Sequence, residues 1–91
     1  MSSNNRKQVS EEAIDLALAE VKKFLVKRLA EKGYGTFASR HEILGVVTAE
    51  YHELVEAVEH KEEVDVRWEL MDVAVGCVFG WACMKQETTD W

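Results

Sequence analysis

Glu69-Leu70-Met71-Asp72-Val73-Ala74-Val75-Gly76-Cys77-Val78-Phe79-Gly80-Trp81-Ala82-Cys83-Met84 decides the fold of this chain. The run holds no proline and reads as one helix, predicted from about Asp65 to Lys85. From Val73 onward it is apolar on every side, so a polar face for water is missing. A stretch from Val73 to Met84 is too short for a bilayer, which takes about 20 residues. The helix must therefore be buried by protein. A three-helix monomer of this size would leave much of that surface wet, which predicts self-association as a homodimer or homotetramer with this helix in the interface. The small residues Ala74, Gly76, Gly80 and Ala82 would let another helix approach closely.

Working back along the chain, Lys61 to Asp65 is expected to connect this helix to the one before it. That earlier helix has a clear start: Ser39-Arg40-His41-Glu42 matches a capping box, with Ser39 as N-cap and Glu42 three residues on. Ile43, Val46, Val47, Leu54, Ala57 and Val58 define one face of it. At about 100° per residue, Glu50 falls near the middle of that face and Glu53 near its edge. A first helix is predicted from Ser10, an N-cap followed by Glu11 and Glu12, to about Lys32. Ile14, Leu18, Val21, Leu25 and Leu29 mark its apolar stripe. Gly33 ends it, and Gly33 to Phe37 forms a loop. The expectation is an all-α, antiparallel bundle of three main helices in a single domain, residues 1–91. Residues 1–9 form a flexible lead and residues 86–91 a short tail.

Composition narrows the function classes. The chain has 91 residues, 47% of them hydrophobic, and no proline, which excludes a disordered chain and favours long helices. Its formal charge of −6 and lack of a basic stripe argue against duplex nucleic acid and anionic membranes as partners. Cys77 and Cys83 lie about 9 Å apart along one helix and face different ways, beyond the reach of a disulfide. They fit a reducing compartment. Met1 to Gln8 is polar, with no secretory pattern, and a cytoplasmic location follows by elimination.

The chemistry lies in four acids. Glu50 and Glu53 stand three apart on the second helix; Glu69 and Asp72 stand three apart on the third. Each pair shares one helix face, inside an apolar run. Carboxylates about 5 Å apart at an effective dielectric of 20 repel by roughly 3 kcal/mol, so a cluster of four calls for cations. All-oxygen ligands favour a hard ion, Mg²⁺ or Mn²⁺, which commonly keeps positions open for water and phosphate oxygens. The pattern lacks the Glu-x-x-His of di-iron bundles, the Cys/His clusters of zinc sites, and any P-loop.

The segment His41-Glu42-Ile43-Leu44-Gly45-Val46-Val47-Thr48-Ala49-Glu50-Tyr51-His52-Glu53-Leu54, followed by Glu69-Leu70-Met71-Asp72-Val73-Ala74, resembles the MazG-like all-α nucleotide pyrophosphohydrolases. Their signature is Glu-Glu-x-x-Glu, a spacer, then Glu-x-x-Asp. The resemblance implies Mg²⁺-dependent cleavage of a nucleoside triphosphate to its monophosphate and pyrophosphate. Glu50, Glu53, Glu69 and Asp72 would be the metal ligands and Glu53 the base. It also implies a four-helix-type core, which this chain would complete with a partner. Ala49 departs from the pattern, standing where the family usually has the first of two adjacent glutamates. A helical module that binds nucleotide or metal without turnover, or that serves interaction alone, is the alternative.

Further residues could meet the substrate. Arg40, His41, Lys32 and Lys61 are candidates for phosphate contact, and Phe37 in the loop for the base. Trp68 and Trp81 are expected to pack rather than stack on a ligand. His52 is expected at the surface.

Overall fold

The computed structural model describes residues 6–60 and 62–90 and is all-helical, with no named strand among them. Helix α1 spans Glu11–Lys32, α2 Arg40–His60 and α3 Glu63–Lys85. The α1 start is as expected: the Ser10 side chain accepts a hydrogen bond from the Ala13 N–H at 3.0 Å, and Glu11 and Glu12 occupy the first turn. Its end is Gly33, with φ 100° and ψ 158°, a region that only glycine occupies without strain. The Ser39 side chain accepts from the Glu42 N–H at 3.3 Å. Glu42 returns its carboxylate to the Ala38 N–H at 2.6 Å, one residue earlier than a capping box would place it.

Helix α3 begins two residues earlier than its sequence suggests. Glu62 is its N-cap, and its carbonyl accepts from the N–H groups of Asp65 and Val66 at 3.0 and 3.2 Å. Glu63 and Asp65 complement the positive end of the dipole, and Glu63 pairs with Arg67 one turn on at 2.6 Å. The connection from α2 is correspondingly short, so α2 and α3 form an antiparallel hairpin. Gly76 lies against Val46 and Val47, and Gly80 against Ile43 and Phe37. Both glycines are buried, and together with Ala57, Val75 and Cys83 they form the tightest part of the hairpin seam.

Helix α1 packs against α3, less extensively than α2 does. Phe24 meets Trp68 edge-on at 5.1 Å, and Arg28 meets Asp72, so α1 and α3 run in the same direction in an up-down-up arrangement. No residue of α1 is buried, and the N-terminal half of its apolar stripe, Ile14 and Leu18, is open to solvent.

The segment after α3 returns to the start of α2. Glu87, at φ 56°, closes a Schellman turn: its N–H donates to the Met84 carbonyl at 3.0 Å and the Thr88 N–H donates to the Cys83 carbonyl at 3.1 Å. The Asp90 N–H then donates to the Ala38 carbonyl at 2.7 Å. The left-handed conformation costs a non-glycine residue about 1 kcal/mol. Glu87→Gly is therefore expected to stabilise the fold by roughly 0.5–1 kcal/mol, read as a higher urea midpoint at unchanged slope.

Candidate metal centre

The hairpin brings the four acids together. Glu50 and Glu53 on α2 and Glu69 and Asp72 on α3 each offer a carboxylate oxygen, and these oxygens all lie within 4.8 Å of one another. The register that seats Gly76 and Gly80 on α2 also sets Asp72 level with Glu50, one to two turns nearer the hairpin's closed end. Glu50, Glu69 and Asp72 are half-buried; Glu53 is exposed at the rim. One Glu69 carboxylate oxygen is closed off from solvent. The cluster thus sits at the edge of the core, open on one side.

The donor set fits a hard divalent ion. Mg²⁺ binds oxygen at about 2.1 Å, so opposite ligands of one ion stand about 4.2 Å apart. Oxygens spread over as much as 4.8 Å reach that spacing through small side-chain rotations.

Burial and neighbouring charge act on Glu50. The Glu50 carboxyl is held above its ordinary value of 4.5, first by burial, then by the charges of Asp72 and Glu53. Arg28 and Lys32 act in the opposite direction. They stand four apart on α1 and so share the face that overlooks the acids. The Arg28 guanidinium donates a hydrogen bond to Asp72 Oδ1. Sequence reading did not single out Arg28. The signal was present: a cation inside the apolar stripe of α1, next to Leu25 and Leu29, needs an acidic partner.

The sign of the pH effect follows from the Glu50 shift. A carboxyl with a raised folded value binds more protons folded than unfolded between 4.5 and that value. Its protonation therefore favours the fold, and stability falls as pH rises through this window. Without divalent ion, Glu50→Gln should flatten this decline and raise the melting temperature at neutral pH. A divalent ion must displace the Glu50 proton, so its stabilising effect in thermal melts should weaken as pH drops through the same window.

The remaining candidates scatter. Lys32 is exposed but near enough to act on Glu50. Arg40 and His41 are exposed in the first turn of α2. They stand about 15 Å along the helix from Glu50, at the open end of the hairpin. Phe37 is a packing residue: its ring meets Phe79 at 5.0 Å and approaches Gly80, which fastens the α1–α2 loop to α3. Lys61 lies outside the described residues. Trp68 meets Phe24 edge-on yet remains half exposed, and Trp81 is more exposed still, so neither is packed away as expected. His52 is exposed at the surface.

No family model, curated protein or solved structure matches this chain. No helix among the described residues is long and apolar enough to cross a membrane.

Proposed function

We propose that the chain is a Mg²⁺-dependent nucleoside triphosphate pyrophosphohydrolase, with Mn²⁺ as a possible substitute ion. One observation carries this reading: four carboxylates at the spacings 50/53 and 69/72 converge within 4.8 Å across an antiparallel helix pair. That is the order and spacing of the MazG-like signature, short of its first glutamate at Ala49. Glu50, Glu53, Glu69 and Asp72 would hold the ion, which supplies charge screening for the triphosphate and activation of water. Glu53, exposed at the rim, is positioned to accept a proton from an attacking water. Arg28 and Lys32 flank the acids from α1 and can receive phosphate oxygens once the ion takes over the charge of Asp72.

The Arg28–Asp72 pair also favours a second reading, a helical module that neutralises its acids internally and turns nothing over. The two separate by assay. Mg²⁺-dependent release of pyrophosphate from a panel of ribo- and deoxyribonucleoside triphosphates supports the first. Absence of release from every nucleotide by well-folded protein supports the second.

A further inference from the structure

Helix α1 is fastened to the rest of the chain at few points. Among the described residues it packs on α3 and leaves α2 untouched. None of its residues is buried. Two side-chain contacts tie it to α3 and stand one turn apart: Phe24 on Trp68, and Arg28 on Asp72. The first is an edge-on ring pair in which Trp68 stays half exposed. The second joins a guanidinium to one of the four converging acids.

Just past the helix the chain has room to bend. Gly33 sits at φ 100°, and a Cβ at Gly33 or Gly35 would meet nothing within 4 Å. Two residues on, Phe37 is seated against Phe79 and Gly80. A short stretch with two unhindered glycines thus separates a lightly held helix from a fixed anchor, which is the build of a hinge. The latch at the other side is chemically special. Arg28 bonds Asp72 Oδ1, and a carboxylate oxygen of the same residue converges with the other acids. A divalent ion held by Asp72 draws on the same single negative charge that holds Arg28. Such competition is reciprocal: an ion on Asp72 loosens α1, and a docked α1 weakens the ion.

We infer that α1 is a strap over the acid cluster, hinged at Gly33 to Gly35 and latched by Arg28 on Asp72, which a divalent cation unlatches and a polyphosphate closes again. The inference rests on the four carboxylates being a cation site and adds a moving part to it. Latched, α1 holds Arg28 and Lys32 over the acids, where both act on Glu50. Unlatched, it keeps only the Phe24–Trp68 contact of the two and parts from α3 more often. The freed Arg28 and its neighbour Lys32 then take the oxygens of a polyphosphate bound at the ion, which gives α1 a new seat.

Amide hydrogen exchange over residues 24–32 of the full chain reads the strap, alongside Mn²⁺ binding followed by electron paramagnetic resonance. Saturating Mg²⁺ should speed exchange there about fivefold, the order expected for a lost, partly exposed ion pair. Pyrophosphate added in excess Mg²⁺ should restore the protection. Arg28→Gln should exchange fast at residues 24–32 with or without Mg²⁺, and bind Mn²⁺ roughly fivefold tighter. Lys32→Gln removes a cation from the same face and leaves the latch in place, so its α1 should still respond to Mg²⁺. Three results would each overturn the strap while leaving the cation site standing: bound Mn²⁺ with unchanged exchange in α1, no renewed protection by pyrophosphate, or an Arg28→Gln affinity equal to that of the unaltered chain. Mn²⁺ that binds neither chain would overturn both the strap and the site.

Discussion

Asp72→Asn is expected to abolish pyrophosphate release, by about a hundredfold at the least, while the protein stays folded. Asparagine keeps the shape of the side chain and removes one anionic oxygen donor from the four that converge. A hard divalent ion is held mainly by charge, so the loss falls directly on its binding. The fold should tolerate the change. Asp72 loses its pairing with Arg28, a partly exposed contact worth at most about 1 kcal/mol. In return one charge that raises the Glu50 pKa disappears. Helical circular dichroism and melting temperature should therefore stay near those of the unaltered chain. Turnover that survives the substitution would remove Asp72 from the site.

The second large effect is structural. Gly80→Leu should destabilise the protein by about 3 kcal/mol, or lower its melting temperature by roughly 15 °C. A Cβ at Gly80 already comes within 3.3 Å of Ile43 Cγ2 and 3.8 Å of Phe37 Cε2. The further carbons of leucine have nowhere to go unless α2 moves away, and the acid cluster widens with it. Gly76→Ala is the matched control. Its Cβ would meet Val47 Cγ2 at 3.9 Å, an ordinary contact. Alanine also improves helix propensity by about 1 kcal/mol, so this variant should be neutral or slightly more stable. If Gly80→Leu folds as well as Gly76→Ala, the close α2–α3 approach is not what holds the hairpin together.

What was legible in the sequence was local. Ser10, Gly33, Ser39 and the apolar period placed α1 and α2 because caps and helix faces are encoded by neighbours. Glu50 at the centre of an apolar face and Glu53 at its edge kept those positions in three dimensions, half-buried and exposed. The two acid pairs could be expected to meet because a short connection forces an antiparallel hairpin. The early start of α3 at Glu63 was missed because it rests on dipole and ion-pair effects of a few tenths of a kcal/mol. The partner of Arg28 and the return of Asp90 to Ala38 are contacts between distant segments, which no local period reports. Phe37 looked like a free loop aromatic until Phe79 and Gly80 gave it a seat.

The central claim is that the four carboxylates form a site for a hard divalent cation. Titration of the nucleotide-free protein with Mn²⁺, followed by electron paramagnetic resonance at neutral pH, tests it most directly. The account predicts saturable binding that Mg²⁺ displaces, that weakens as pH falls through the raised pKa of Glu50, and that Asp72→Asn eliminates. Mn²⁺ that stays free in the presence of folded protein, or binds equally well to Asp72→Asn, would contradict it.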